Sequence, residues 1–234
     1  MSFGDKNFTY GPRIVKDGLV FYMDAANPKS YVSGSTTCND LISSSVGTLE
    51  NGTGFSTENN GVWDFDGSDD SIRTPDKESL RMTSEITIIC WFKKSTKDGY
   101  HHLVSKYPIS TNCSWQLGTE VTSGNLMFQG SSTGNDNGQY AEVPIDVCTG
   151  NWTFGATSYI VSDNEVNIYV NDIRTTVSYS NGLYAGDVYL AIAERPLVGQ
   201  YWPGNVSIAQ VYNRALSQTE ITQNYNALKG RFGL

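Results

Sequence analysis

Residues 202–228, WPGNVSIAQVYNRALSQTEITQNYNAL, hold the point where strand chemistry turns into helix chemistry. Ser217 and Glu220 form an S-x-x-E capping box, in which the serine hydroxyl accepts from the Glu220 amide and the carboxylate reaches back to the Ser217 amide. Leu216 and Ile221 stand where a hydrophobic staple needs them. Ile221, Tyr225 and Leu228 follow at helical spacing, and Gly230 is placed for a left-handed cap after Lys229. The spacing predicts a strand over 206–212, a corner over 213–216 and one short helix, docked by its apolar stripe so that it seals an edge of a sheet protein.

Outward from this stretch the chain reads as sheet and loop. Of 234 residues, 17% are charged and 12% aromatic, with 14 Tyr and 23 Gly, a composition suited to short strands and tight turns. Strands are predicted at 19–23, 62–66, 71–73, 86–92, 101–105, 114–117, 125–128, 152–159, 165–171, 175–179 and 188–193. Polar loops fill the interval before Val62. In residues 62–66, VWDFD, the alternation puts Trp63 and Phe65 on one face and Asp64 and Asp66 on the other, and residues 71–73 are expected to return as the hairpin partner. Residues 130–138, GSSTGNDNG, form a hairpin loop, and Asn171-Asp172 a tight turn, since both residue types tolerate left-handed backbone angles. With no linker between two folding units, the organisation is an N-terminal arm over 1–18 and one domain over 19–234.

The net charge of −8 is spread along the chain, and the densest basic group, Lys93, Lys94 and Lys97, is too sparse for a phosphate backbone. Nucleic acid is excluded on that ground, and no apolar run approaches the length of a membrane span. The first residues, MSFGDKNFTYGPR, lack the apolar core of a secretory signal, so a cytosolic origin is expected, with Cys38, Cys90, Cys113 and Cys148 as free thiols.

The segments GLVFYMDAANPKSY, NDL, WDFDGSDDSI, ITIICWFK, NWTFGA, VNIYVND and GNVSIAQVYNRALSQTEITQNYNAL resemble, in that order, the laminin-G-like branch of the concanavalin-A-like jelly rolls. The opening GLVFYMDAANPKSY and the ending YNRALSQTEITQNYNALKGRFGL are similar to the version found in virion proteins of tailed bacteriophages. The resemblance implies an all-β, antiparallel jelly-roll sandwich with one short C-terminal helix. It also implies a structural protein of a phage virion, in the head decoration, tail or fibre, contacting other virion proteins as a homo-oligomer and touching the host surface. Assembly in the bacterial host cytoplasm follows from that placement.

Three kinds of site are weighed on the residues. The glucanase signature E-x-D-x-x-E is absent, and the adjacent His101 and His102 point to opposite strand faces, so a non-enzymatic protein is expected, with an unrecognised glycoside hydrolase as the outlying alternative. Calcium is the candidate cofactor: Asp64, Asp66, Asp69 and Asp70, and separately Asp24 with Asn27, gather the hard oxygens that ion requires. A lectin-like module for host surface polysaccharide, calcium-assisted, is the second functional reading. Its stacking and hydrogen-bonding candidates are Tyr201, Trp202 and Asn205, with Tyr100 and Tyr140 as further aromatics.

Overall fold

The computed structural model describes residues 12–97 and 101–234. Two antiparallel sheets face one another. The first runs, in spatial order, Ile173–Ser178, Glu165–Val170, Trp152–Ile160, Glu85–Lys93, Pro203–Tyr212, Val62–Asp66 and Gly54–Ser56. Strand Leu19–Asp24 joins it along the second half of Pro203–Tyr212, pairing Met23 with Ala209. The second runs Ala141–Asp146, Asn125–Gly130, Trp115–Thr119, His101–Ser105, Leu190–Ile192, Ser71–Thr74, Val46–Glu50 and Thr37–Asn39. A two-stranded ribbon, Glu194–Arg195 with Gln200–Tyr201, stands apart from both. This is the expected all-β jelly-roll sandwich.

Between the sheets lies the main core. The first sheet contributes Trp63, Phe65, Ile88, Cys90, Phe92, Ala209 and Val211, and the second contributes Ile72, Leu103, Val104, Trp115, Leu117, Leu126, Phe128 and Ile192. The strand Glu85–Lys93 is buried at every position from Ile86 to Phe92, which is why it reads as an unbroken apolar run instead of an alternation. Its odd-numbered residues, Ile89 and Trp91, face away from the sandwich into a second apolar cluster.

That second cluster is where the helix docks. Helix α1 spans Gln218–Leu228 and carries both halves of the predicted capping box on Ser217 and Glu220. Arg214 clamps the Glu220 carboxylate from outside, at 2.6 and 3.1 Å. Leu216 and Ile221 are both buried, as a staple requires, in the cluster with Trp91, Phe154, Tyr169 and Tyr212. Phe154, Trp91 and Ile208 form one row across three neighbouring strands, because Phe154 pairs with Trp91 and Trp91 with Ile208. Tyr225 and Phe232 stack on Trp91, the latter at 4.2 Å between ring centroids. The helix therefore covers the outer face of the first sheet; it does not seal an edge, because the apolar row it needs lies mid-sheet.

Three further expectations change. The helix continues into a 3-10 turn over Lys229–Phe232, so the left-handed residue that ends it is Gly233, at φ 74°, and not Gly230. Residues 71–74 do not pair back on Val62–Asp66: that strand pairs with Pro203–Tyr212 and Gly54–Ser56, whereas Ser71–Thr74 crosses to the second sheet and pairs with Val46–Glu50 and Leu190–Ile192. The interval before Val62 contains three short strands as well as loops. Of the N-terminal arm, residues 12–18 are described, and Val15 is tied to the helix side: its amide donates to Asn224 Oδ1 at 2.7 Å and its carbonyl accepts from the Tyr212 hydroxyl at 3.0 Å. All four cysteines are free and buried, and burial pushes the Cys38 thiol up to about 12. Among the described residues no helix is long and apolar enough to cross a membrane.

Candidate functional site

The outer face of the second sheet holds a depression of about 240 Å³, lined by His102, Gln116, Thr119, Met127, Gln129 and Arg195, with Glu120, Val121, Asp136 and Tyr140 at its rim. Alternation explains the floor. On Trp115–Thr119 and Asn125–Gly130 the residues Trp115, Leu117, Leu126 and Phe128 enter the core, so Gln116, Met127 and Gln129 point outward. Gln116 and Gln129 sit directly opposite one another in register. A bulge between His102 and Val104 sends both Leu103 and Val104 into the core and leaves His102 and Ser105 beside Gln116.

These outward polar groups are nevertheless sheltered: His102 is 3%, Gln116 1% and Gln129 6% exposed. Polar side chains under such cover must be hydrogen-bonded, and they form one chain. Gln129 Nε2 donates to Asp136 Oδ1 at 3.4 Å, Gln116 Nε2 donates to Gln129 Oε1 at 2.6 Å, and His102 Nδ1 meets Gln116 Oε1. The direction of the chain is fixed at its far end, because a carboxylate only accepts. Each amide must then present its NH2 towards Asp136 and its oxygen towards His102, so His102 carries a proton on Nδ1. Asp136 is itself held by Arg195 Nη2 at 2.6 Å, by the Gly138 amide at 3.0 Å and by the Tyr107 hydroxyl at 3.3 Å. Arg195 also donates to the Tyr107 and Pro108 carbonyls and lies over the Tyr107 ring.

The electrostatics follow from these partners. Burial works to raise Asp136, but the Gly138 amide and Arg195 outweigh it and hold the carboxyl below its ordinary value. The Ser123 amide, working against burial and joined by the Thr122 amide, does the same for Glu120. Both acids are ionised at neutral pH. Tyr140, 44% exposed at the rim, has its phenol pushed up by burial and then by Glu142 and Glu120. An exposed ring beside a floor of fixed amides can stack on one face of a small polar ligand and hydrogen-bond its edge.

Most residues singled out in the sequence fall elsewhere. Trp202 is fully buried in the main core, edge-on to Phe92 at 5.6 Å with the Lys94 ammonium 4.7 Å from its ring centroid, so its face is not available to a ligand. It is buried because its amide donates to the Ala193 carbonyl, which pins the base of the ribbon inward. Tyr201 is half-exposed and pairs with Glu194 in the ribbon that carries Arg195, yet it does not line the depression. Asn205 lies on the first sheet and donates to Asp64 Oδ1 at 2.9 Å. Tyr100 lies outside the described residues, as does the His101 side chain; of the described aromatic candidates, Tyr140 lines the depression.

The six metal candidates separate. Asp66, Asp69 and Asp70 bring ligand oxygens within 4.8 Å of one another. Asp24 does not join them, because Arg231 Nη1 neutralises it at 2.7 Å from the C-terminal turn. Asn27 Oδ1 is used by the Lys29 amide of its own turn, and Asp64 by Asn205. In the remaining trio, Asp70 is raised by burial and by the charges of Asp66, Asp69 and Asp64, while its Oδ2 accepts from the Asp66 amide. Three carboxylates on one turn are a hard-oxygen set that suits calcium. None of them lines the depression.

The depression escaped sequence reading although its floor comes from three consecutive strands, because Asp136 from the 130–138 loop and Arg195 from the distant ribbon complete it. The available signal was the outward amides in WQLGT and NLMFQG, two strands whose alternate positions are apolar.

No curated protein matches this chain in sequence. Among solved structures, the binding domain of Paraclostridial Mosquitocidal Protein 1 superposes with a TM-score of 0.66 at 15% identity, over 90% of this chain and 52% of that one. Trypanosoma rangeli sialidase gives 0.66 at 11% identity, over 92% of this chain and 33% of the sialidase. This chain thus spans about half of the first and a third of the second. Domain 4 of AbnA, an extracellular arabinanase of Geobacillus stearothermophilus solved with arabinotriose, gives 0.65 at 15% identity, over 88% of this chain and 98% of the domain. These likenesses concern the fold. In sequence, residues 66–222 match the model of the Concanavalin A-like lectin/glucanases superfamily, and the chain belongs to that superfamily.

Proposed function

We propose that this protein is a non-catalytic carbohydrate-binding domain whose ligand occupies the depression on the second sheet. The observation that carries the reading is the chain from His102 through Gln116 and Gln129 to Asp136: a sheltered, directionally fixed row of hydrogen-bonding groups beside the exposed ring of Tyr140. A sugar presents the same pairing of an apolar ring face and a polar edge. The arabinotriose complex of a similarly folded domain supports the ligand class. Binding without catalysis is supported by the two rim acids: glycosidic cleavage needs a proton donor with a raised pKa, and both Glu120 and Asp136 are shifted the other way. Calcium remains part of the reading as a brace for the turn at Asp66, Asp69 and Asp70, where it would offset their mutual repulsion.

The similarity of the chain's opening and ending to phage virion proteins supports a place for such a domain. There it would stand on a particle in many copies and engage host surface polysaccharide. Proteomics of purified particles tests the placement, and absence of the chain would remove it. The binding reading is tested on a glycan array. Binding is expected to be lost in Gln116→Ala and weakened about tenfold or more in Tyr140→Ala, with Asn205→Ala unaffected. A folded protein that binds no glycan, or binds equally well in all three variants, contradicts it.

A further inference from the structure

We infer that the depression selects neutral, hydroxyl-rich sugars and discriminates against carboxylated ones such as sialic or uronic acids. This rests on the depression being a glycan site and concerns what that site prefers.

The rim is acidic, and the one arginine or lysine among its described residues is already paired with an acid. Glu120 and Asp136 line the depression and are held ionised by the amides and the guanidinium bonded to them. Glu142 stands opposite Met127 in register, on the same outer face, and acts on the Tyr140 phenol together with Glu120. Among the described lining residues, Arg195 is the one arginine or lysine set against these three carboxylates. Its residue is 9% exposed, its Nη2 is bonded to Asp136 and the Pro108 carbonyl, its Nε to the Tyr107 carbonyl, and its plane lies over the Tyr107 ring. An incoming carboxylate that reached Arg195 would have to share a guanidinium whose charge Asp136 already balances, and it would leave Glu120 and Glu142 unopposed. Lys97 and Lys106, the next cations in sequence to these strands, are bonded to Asp146 and Asp76.

A hydroxyl meets no such conflict. It donates to Glu120, Asp136 or Glu142, and it accepts where an N–H is offered, so one neutral sugar edge can satisfy an acidic rim. A carboxylate brings acceptors only, into a site whose outward charge is already negative on a chain of net charge −8. Discrimination by unmatched charge requires no steric barrier and weakens with added salt.

The test uses an array of matched oligosaccharides with and without carboxylates: asialo and sialylated glycans of equal length, and galacturonans before and after carboxyl reduction. Titrations follow at low and high sodium chloride. The expected result is binding of neutral probes at least tenfold tighter than of their carboxylated counterparts at low salt. That gap should narrow at high salt and in Glu120→Gln with Glu142→Gln. Neutral binding should be lost in Gln116→Ala and weakened in the exposed-site variant Tyr140→Ala, each checked for native melting. Carboxylated probes binding as tightly or more tightly, with the same sensitivity to both variants, would overturn the selectivity while leaving the glycan site standing. Binding of neither class by the folded protein would remove the site and the inference with it.

Discussion

Truncating Phe232 tests how the C-terminus is used. Phe232 is 7% exposed, stacked on Trp91 at 4.2 Å and 12°, with the Trp152 ring 4.9 Å away and tilted. Phe→Ala in a core costs about 3–5 kcal/mol, of which aromatic stacking supplies ~0.5–1.5. The residue lies on a terminal 3-10 turn that can relax, so the lower end applies, about 3 kcal/mol. For a domain of this size each kcal/mol moves Tm by about 2–4 °C, which places the expected drop in Phe232→Ala at about 6–12 °C. Because the same change uncovers the fully buried Trp91, tryptophan emission should shift to the red in the folded protein. Calorimetry with emission spectra measures both, and a double-mutant cycle with Trp91→Leu should return a coupling of about 0.5 kcal/mol or more. A Tm change under about 2 °C without a red shift would show that the outer face of the first sheet is not covered by this turn.

Other outcomes follow from the same geometry. Glu220 is held at about 2, chiefly by Arg214, against an ordinary value of 4.5, so its contribution is fully present above pH 4.5 and is lost as pH falls towards 2. The stability gap between the protein and Glu220→Gln, about 1 kcal/mol for a pair this exposed, should be flat near neutrality and close across that window; a gap that widens on acidification would contradict the clamp. Trp202→Ala should cost about 3–5 kcal/mol of stability by urea unfolding while the remaining folded protein keeps its glycan affinity; selective loss of binding with unchanged stability would return Trp202 to the surface. For the turn at Asp66, Asp69 and Asp70, a site with the 10⁻⁴–10⁻³ M affinity of extracellular modules would gain about 1.4–2.7 kcal/mol in about 10 mM calcium, or about 3–11 °C, absent in Asp70→Asn. Identical melting in calcium and in chelator would retire that role.

What could be read from the sequence was mostly local. The Ser217–Glu220 capping box and the Leu216–Ile221 staple depend on residues three to five apart, and both are present. Strand existence was legible wherever apolar residues alternate or run together, as at Glu85–Lys93. What the helix lies on was not, because the Phe154–Trp91–Ile208 row is assembled from three strands spaced far apart in the chain. The same limit misplaced Ser71–Thr74, since a turn-rich DGSDD segment suits a hairpin and a sheet crossing equally well. Trp202 reads in the sequence as a stacking candidate, whereas its amide bond to Ala193 folds it into the core. Asp24 carried no sign in its neighbourhood that Arg231, two hundred residues later, would neutralise it. The depression was invisible for the physical reason that its amides acquire direction only through Asp136 and Arg195, which reach it from a loop and from the separate ribbon.

The most direct measurement of the central claim is the perturbation of side-chain amide resonances on adding a neutral oligosaccharide to isotope-labelled protein. The NH2 groups of Gln116 and Gln129 should shift in a saturable way, with the Tyr140 ring moving in step and the Asn205 amide unchanged. Saturable shifts at Asn205 and Tyr201, with Gln116 and Gln129 still, would place the ligand elsewhere and contradict the account.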